Sequence, residues 1–315
     1  DCPMIPFYIY YSMFGFQRVG DMCWAAGDQQ ARGFLLGATA GRTTLSGEGL
    51  QHEDGQSQVY AATIPTCRAY DPAFAYEVAV IAEDGVRRMM GEGENGFYYL
   101  TLYNENYPQP SLPEGVEAAI IKGMYRLQGA PDAQVRLLGS GTLVREAQAA
   151  AQLLADVWQV ASEVYSVTSF NELARDGMAC EEYNRLHPMS DAAKESWVSQ
   201  QLRGTDGIVV SATDHMRAYS EQIRAYLPDS RPFVALGTDG YGRSDTRANL
   251  RSYFGVDAAH IVVATLKKLA DEGEVDARLV KDAISSFELD TDRPVAWAPQ
   301  ATPELHPVAD YKEEN

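Results

Sequence analysis

Apolar and polar positions along the chain form two kinds of block, which predict strands and helices in alternation. Short apolar runs rich in β-branched and aromatic residues are typical of buried strands. They are separated by longer stretches in which apolar residues recur at helical spacing. Strands that alternate with helices predict an α/β fold whose mainly parallel sheets are flanked by helices. The predicted strands are residues 4–11, 34–37, 67–70, 97–102, 135–138, 164–167, 207–211 and 233–236.

The stretches with helical spacing fill most of the intervals between these strands. Pro72 stands at the start of one of them, where a proline is well tolerated. Residues 39–60 are different, because they are polar, rich in glycine and acids, and follow neither spacing. A loop of that length inside a compact domain is usually functional. The predicted helices are residues 15–32, 73–90, 114–127, 143–157, 246–254, 260–271 and 276–285, with further helices after the strand 164–167.

The first predicted strand, residues 4–11, is apolar on both faces. This pattern predicts a central, buried strand of a parallel sheet. Such a strand is an unusual beginning for a chain, because nothing before it can cover its faces. We therefore expect the N-terminus to be a cut end and a further segment to precede it in the native protein.

A turn-rich tetrapeptide, Gly-Ala-Pro-Asp at residues 129–132, separates two series of predicted strands and helices. It predicts a boundary between a domain at 1–128 and a second domain at 129–290. Residues 291–315 contain prolines and many acids, and we expect them to form a poorly ordered tail.

Composition narrows the functional classes. The chain has 315 residues, of which 45% are hydrophobic and 22% charged, as in globular proteins with a substantial core. The net charge of −18 argues against nucleic acid as a partner. No apolar run is long enough to span a membrane, and no basic segment begins a signal peptide. We therefore expect a cytoplasmic protein whose four scattered cysteines are reduced and bind no zinc.

The densest polar cluster is residues 47–55, in which glycines allow sharp turns close to a ligand. His52 is flanked there by acids and could act as a general acid or base. A solvated surface loop explains the same residues, and the spacing alone leaves both interpretations open. His215 lies near the C-terminal end of a strand, where parallel sheets place their sites, but the pattern gives it little support as a functional residue.

Aromatic residues are concentrated around the first strand and the turn that follows it. Their rings could stack on a planar ligand. Core packing is the simpler interpretation for any single one of them. The residues are Tyr8, Tyr10, Tyr11, Phe14 and Phe16.

Two glycine-rich turns follow predicted strands. Gly139-Ser140-Gly141 lacks the third glycine of a dinucleotide-binding motif, since Val144 stands in its place, and is interpreted as a helix cap. Residues 237–245 contain Asp239 and Asp245, but their spacing fits no calcium loop. Turn and N-cap roles explain both acids, and no metal ligand is assigned in this chain.

Several long blocks of the sequence resemble one family, the homodimeric bacterial pyruvate dehydrogenases, which are the decarboxylating first component of the pyruvate dehydrogenase complex. The resemblance extends over nearly the whole chain before about residue 290. Alternatives are a transketolase, another 2-oxo acid dehydrogenase of the transketolase superfamily, or a non-catalytic dimerisation module. The matching blocks are YIYYSMFGFQR at 8–18, WAAGDQQARG at 24–33, GRTTL at 41–45, 47–55, YDPAFAYE at 70–77, NENY at 104–107, YSVTSF at 165–170, ELARDG at 172–177 and 237–245.

The resemblance implies a transketolase-like fold, in which residues 1–128 form the pyrimidine-binding domain and 129–290 the C-terminal domain. It implies thiamine diphosphate and Mg²⁺ as cofactors. Tyr11 and Phe14 correspond to residues that contact the aminopyrimidine ring. His52 corresponds to the family's active-site histidine, and Glu48 to an acidic residue near the substrate channel. The family's diphosphate and metal ligands, and its activating glutamate, have no counterpart in this chain.

The activity implied by the resemblance is oxidative decarboxylation of pyruvate, with reductive acetylation of a lipoyl group on the dihydrolipoamide acetyltransferase component. A homodimer is the implied assembly. Because part of the active site has no counterpart here, we expect the chain to be inactive alone. Gln56 and Gln58 stand where many relatives have further histidines, so no role of those histidines is transferred.

Overall fold

The computed structural model describes residues 4–45, 49–129, 133–189, 193–204 and 207–298. These residues form two β-sheets, each with helices on both faces. This architecture confirms the predicted α/β fold with mainly parallel sheets.

The first sheet is entirely parallel and has the strand order β1-β2-β4-β3. Helices follow the strands, and one turn of π-helix at Arg87–Gly91 extends the third helix. The helix at Ser57–Ala62 was not predicted, because residues 39–60 were expected to form a loop. The strands are β1 (Phe7–Tyr11), β2 (Gly33–Ala38), β3 (Cys67–Tyr70) and β4 (Phe97–Thr101). The helices are α1 (Gly15–Asp28), α2 (Ser57–Ala62), α3 (Ala75–Val86) and α4 (Glu117–Lys122).

Both faces of this sheet are packed. On one face, Phe16 and Cys23 of α1 lie with Tyr99 in an apolar cluster. On the other, Ile81 of α3 packs with Tyr98. Burial of a side chain such as Ile81, which is fully buried, stabilises the fold by about 1.5–3 kcal/mol.

The second sheet has the order β5-β7-β6-β8-β9, with β5 antiparallel and the other strands parallel. β6 and β8 are buried along their whole length, as the apolar runs predicted. The strands are β5 (Met124–Gly129), β6 (Val135–Gly139), β7 (Ser162–Val167), β8 (Ile208–Ala212) and β9 (Phe233–Leu236). The helices are α5 (Val144–Trp158), α6 (Phe170–Leu186), α7 (Trp197–Leu202), α8 (Ala218–Glu221), α9 (Arg247–Phe254), α10 (Ala258–Asp271) and α11 (Ala277–Ser286).

The prediction for residues 4–11 was wrong in position and in burial. Within the described residues β1 pairs only with β2, so it lies at the edge of its sheet. Phe7 is 52% exposed, and Tyr8 and Ile9 are each 63% exposed. The apolar pattern of a strand shows which side chains it could bury. Its place in the sheet depends instead on pairing with distant segments, which the pattern does not contain.

The predicted helix at 114–127 was also wrong in its second half. Helix α4 ends at Gly123, whose φ of +106° favours glycine at a helix C-terminus. The next residues form β5, which joins the second sheet by pairing with β7. The predicted division at residues 128 and 129 stays a prediction, and residues 130–132 lie outside the described part of the chain.

Ser140 is the N-cap of the 3₁₀ turn Gly141–Leu143 that leads into α5, as predicted for residues 139–141, although its side chain makes no capping hydrogen bond. Its hydroxyl donates instead to Thr213 Oγ1, at 3.0 Å, on the strand end beside it. Asp245 has the predicted turn role, because it accepts the backbone N–H of Thr246, which is the N-cap of α9.

The carboxyl ends of the two sheets face each other, and residues that follow the strands join them. The backbone N–H of Gly141, after β6, donates to the carbonyl oxygen of Asp71, after β3. Within the described ranges no helix has the length and apolar character that a membrane span requires.

Candidate active site

Two aromatic rings stand at the C-terminal end of β1. Tyr11 is the last residue of that strand, and Phe14 ends a single 3₁₀ turn that leads into α1. The two rings are stacked, with centroids 5.4 Å apart and planes inclined by 28°. Both side chains are only half-buried, so aromatic surface remains open for a ligand.

The His52 ring lies against both aromatic rings. Its centroid is 5.9 Å from that of Tyr11 and 5.3 Å from that of Phe14, in edge-to-face arrangements. We call Tyr11, Phe14 and His52 the ring wall. Three of the four predicted site residues therefore lie together, and their roles stay predictions. The fourth, Glu48, lies outside the described residues.

The loop that carries His52 is closed at its base. Gly41 and Asp54 form an isolated antiparallel bridge. The Asp54 carboxylate accepts the backbone N–H groups of Gln56 and Ser57, at 3.0 and 2.9 Å, and so begins α2. The Arg42 guanidinium donates to Gln56 Oε1, at 2.9 Å, and to the carbonyl oxygen of Thr238, which follows β9 of the second sheet. The loop is thus held by residues from both sheets.

A buried charged cluster lies where the two sheets meet, and we call its four members Asp71, Tyr103, Asp214 and His215 the seam. His215 Nε2 lies 3.5 Å from Asp71 Oδ1 and 3.3 Å from the Tyr103 hydroxyl. The Tyr103 hydroxyl donates to Asp71, as does Thr101 Oγ1 at 2.6 Å. Asp71, Asp214 and His215 are fully buried.

The electrostatics of the seam favour a charged pair between His215 and Asp71. Burial by itself lowers the pKa of His215, but Asp71, together with Asp54 and Asp214, holds that pKa above its ordinary value. Burial raises the pKa of Asp71, but the His215 charge and the hydrogen bonds from Thr101 and Tyr103 outweigh burial and lower it. Burial raises the pKa of Asp214 to about 6, with Arg251 and His215 opposing the rise.

The sequence argument missed most of the seam. It noted that His215 follows a strand but gave it little support, and it singled out neither Tyr103 nor Asp214. The available signal was position, because Asp71, Tyr103 and Asp214 each lie just beyond the end of a parallel strand. Parallel sheets bring such positions to one edge.

The described residues contain no group of three or more His, Cys, Asp and Glu side chains arranged to hold a metal ion. The ring wall has a different chemistry, since its aromatic faces suit a planar ring, and the Arg18 guanidinium already lies 3.8 Å from the centroid of the Phe14 ring. Tyr11 and Phe14 are therefore the side chains that could hold an organic cofactor.

Two family models match the chain. One describes the pyruvate dehydrogenase E1 component middle domain and matches residues 1–110. The other describes the transketolase-like C-terminal domain and matches residues 123–257. The ring wall lies within the first match, and Asp214 and His215 lie within the second.

Curated relatives agree with this assignment. The pyruvate dehydrogenase E1 component of Escherichia coli K12 is 56% identical over 296 residues, which are 93% of this chain and 33% of that protein. The pyruvate dehydrogenase E1 component of Pseudomonas aeruginosa is 53% identical over 294 residues, 92% of this chain and 33% of that protein. The chain thus spans about a third of the length of these relatives.

Solved structures establish the fold. A transketolase from Leishmania mexicana superposes with a TM-score of 0.63 at 17% identity, covering 94% of this chain and 36% of that one. A transketolase from Campylobacter jejuni superposes with a TM-score of 0.62 at 16% identity, covering 84% of this chain and 36% of that one. These likenesses confirm the predicted transketolase-like fold. Because the E1 components match with far higher identity along nearly the whole chain, the chain belongs to the pyruvate dehydrogenase E1 component family.

Proposed function

We propose that this chain supplies the ring wall and the C-terminal domain of a pyruvate dehydrogenase E1 component. The enzyme would decarboxylate pyruvate oxidatively and acetylate the lipoyl group of the dihydrolipoamide acetyltransferase component. The observation that carries the proposal is the ring wall itself, since a half-buried histidine lies 5.3 Å from one of two stacked aromatic rings. Identity of 56% to the Escherichia coli relative supports pyruvate as the substrate.

Thiamine diphosphate is the proposed cofactor, and Tyr11 and Phe14 are the residues that would hold its aminopyrimidine ring. When bound, it supplies the electron sink that decarboxylation of a 2-oxo acid requires. The half-exposed, stacked rings fit that task, because aromatic faces bind planar heterocycles through offset stacking and burial. Mg²⁺ is proposed as the ion that accompanies the diphosphate, with its ligands outside this chain.

His52 is the proposed proton carrier. An imidazole can give a proton to a reacting group or take one from it at neutral pH. Its contacts with Tyr11 and Phe14 hold the ring beside the surface on which the aminopyrimidine would lie. Glu48 is proposed to act beside it as a second catalytic group near the substrate channel.

A homodimer is the proposed assembly. An apolar groove between β1 and α1, lined in part by Tyr8, Val19 and Met22, is surface that a second subunit could cover. We further infer a cytoplasmic location, where the enzyme would consume the pyruvate formed by glycolysis. Neither a nucleic acid nor a membrane is proposed as a partner, in keeping with the net charge of −18.

A chimera tests the proposal. In the Escherichia coli K12 relative, the third that matches this chain would be exchanged for this chain. We expect it to acetylate a lipoyl domain with pyruvate, in a reaction that depends on thiamine diphosphate and Mg²⁺. The host protein without its matching third is the negative control. A chimera that prefers 2-oxoglutarate, or that folds and binds cofactor without using pyruvate, would contradict the proposal.

A further inference from the structure

Asp214 is a buried carboxylate of the second domain that binds the backbone of the first. It follows β8, and its Oδ1 accepts the backbone N–H groups of Arg42 and Thr43, at 3.2 and 3.1 Å. Its Oδ2 accepts the Thr43 hydroxyl, at 3.0 Å. Both carboxylate oxygens of Asp214 therefore accept hydrogen bonds from the first residues of the loop that carries His52.

The backbone of that loop leaves room for Asp214 only because Gly41 precedes it. A Cβ on Gly41 would lie 2.2 Å from Asp214 Oδ2, and the φ of Gly41 is +87°. That left-handed conformation favours glycine. The backbone of the loop at Gly41 and the Asp214 carboxylate are thus in close, complementary contact.

A short path leads from Asp214 to His52. Gly41, next to the residues that Asp214 binds, forms the antiparallel bridge with Asp54. The Arg42 guanidinium packs on Gly55, where a Cβ would lie 2.4 Å from Arg42 Cζ. Asp54 is two residues from His52, so fixing the start of the loop also fixes the segment that carries the imidazole.

The second domain holds the end of the loop as well. The Glu53 carboxylate accepts the backbone N–H of Arg243, at 2.6 Å, and the carbonyl oxygen of Gly55 accepts the backbone N–H of Met216, at 2.7 Å. Glu53 is adjacent to His52 and is 1% exposed. Both ends of the loop therefore depend on the second domain.

Burying a carboxylate is unfavourable unless its hydrogen bonds compensate. A purely structural tie between two domains could be made by apolar packing at lower cost. Asp214 instead gives its oxygens directional bonds to two successive N–H groups and one hydroxyl of a single loop. Such bonds fix position more narrowly than apolar contacts do.

We propose that Asp214 is a positioning residue, which sets the place of His52 against Tyr11 and Phe14 through the backbone of Arg42 and Thr43. The proposal deepens the function proposed above and rests on it for its catalytic consequence. Its structural part, the link from Asp214 to His52, stands independently.

Hydrogen exchange in the intact chain tests the link. In Asp214→Asn, one oxygen becomes an N–H donor that faces other donors, so we expect the amides of residues 51–53 to exchange about tenfold faster. Thr43→Val keeps the two backbone N–H bonds to Asp214 and loses only the bond from the Thr43 hydroxyl. We therefore expect it to accelerate exchange at residues 51–53 as well, but by less. This second variant carries the test if Asp214→Asn does not fold.

Glu77→Gln is the matched control. Glu77 is also a fully buried carboxylate that accepts two backbone N–H groups and two hydroxyls, but its partners are Ala73, Phe74, Tyr125 and Ser166. We expect exchange at residues 51–53 to be unchanged in this variant. Equal exchange in Asp214→Asn, Thr43→Val and the unmodified chain would overturn the link, and so would equal acceleration in Glu77→Gln.

Kinetics of the chimera test the consequence. Misplacing a catalytic group lowers turnover, so we expect Asp214→Asn to lower kcat for pyruvate about tenfold, with the KM for pyruvate little changed and Glu77→Gln close to the unmodified chimera. An unchanged kcat would overturn the positioning role in catalysis. If the unmodified chimera fails on pyruvate, the proposed function fails, while the exchange measurements still decide whether Asp214 fixes His52.

Discussion

The ring wall and the seam are close in the fold but opposite in character. Tyr11, Phe14 and His52 are half-buried and touch one another mainly through ring faces and edges. Asp71, Asp214 and His215 are fully buried and held by hydrogen bonds and opposite charges. The difference separates two tasks, since a group that meets a ligand must be accessible, and a group that sets a distance must not move.

The comparison also assigns the tasks to different parts of the chain. The ring wall lies entirely in the first sheet and its loops. The seam draws two residues from loops of the first sheet and two from a loop of the second, so it depends on how the two sheets pack together. Damage to the seam should therefore lower stability first, whereas damage to the ring wall should lower activity first.

The largest effect on folding is expected for Asp71→Asn. This change leaves His215 buried without its nearest opposite charge, which should lower the free energy of unfolding by about 3 kcal/mol. Urea unfolding of the chain at pH 7 measures it. Asp271→Asn is the control, because Asp271 forms an exposed pair with Lys267 and should cost less than about 1 kcal/mol. Equal losses would remove the distinction between seam and surface.

The ring wall should show the reverse pattern in His52→Ala. In the chimera, loss of a proton carrier should lower kcat for pyruvate about 100-fold, with little change in thiamine diphosphate affinity or in unfolding. His187→Ala is the control, since His187 stacks on Tyr183 away from the wall. Steady-state kinetics and a cofactor titration check the prediction, and unchanged turnover would eliminate the proposed role of His52.

The seam should also be visible in the pH dependence of stability. The folded pKa of Asp214 is raised from 3.8 to about 6, so its contribution to stability is fully present below pH 3.8 and lost as the pH rises through 6. Arg251 and His215, which face it, stay charged in that window. Asp214→Asn cannot titrate, so its stability should decline less with rising pH, by on the order of 2 kcal/mol between pH 4 and pH 6. Parallel curves for the two proteins would contradict this.

The charged pair of the seam, His215 and Asp71, changes its contribution to stability outside that pH window. The raised pKa of His215 means that its contribution is present below its ordinary pKa and lost as the pH rises through the folded value. The lowered pKa of Asp71 means that its contribution is present above its ordinary value and lost as the pH falls through the folded one. The slope between pH 4 and pH 6 is therefore specific to Asp214 within the seam.

The smallest effect is expected for Gly242→Ala. A Cβ there would lie 2.5 Å from Glu53 Oε2 and 2.9 Å from the carbonyl oxygen of Leu50, so the loop must shift. We expect the free energy of unfolding to fall by about 1–2 kcal/mol. Gly20→Ala is the matched substitution, because its Cβ would meet nothing within 4 Å and should stabilise α1 by about 0.5–1 kcal/mol. Thermal unfolding distinguishes them, and changes of the same sign would contradict the account.

Local pattern was a good guide to local structure. The apolar run at 34–37 became β2, and the helical spacing near 260–271 became α10, because burial of apolar side chains decides both kinds of element. The spacing of apolar residues gave a wrong prediction where a short segment suits both a helix and a strand. Met124 to Leu127 continued a helical spacing, yet Gly123 ends the helix and the segment pairs as β5.

The ring wall and the seam also differed in how well the sequence predicted them. Tyr11, Phe14 and His52 were identified through resemblance, and Tyr11 and Phe14 lie three residues apart at the end of one strand. Asp71 and His215 follow strands of different sheets, so their contact depends on how the two sheets pack together. No pattern within one element encodes that arrangement, and the weak sequence signal for His215 reflects this.

A double-mutant cycle in the chimera tests most directly whether the seam acts through the ring wall. The cycle compares kcat for pyruvate in the unmodified chimera, Asp214→Asn, His52→Ala and the double variant. If Asp214 works by placing His52, nothing remains to place once the imidazole is gone. The account predicts that the double variant turns over no more slowly than His52→Ala alone. Losses that multiply would show that Asp214 acts independently of His52 and would contradict the account.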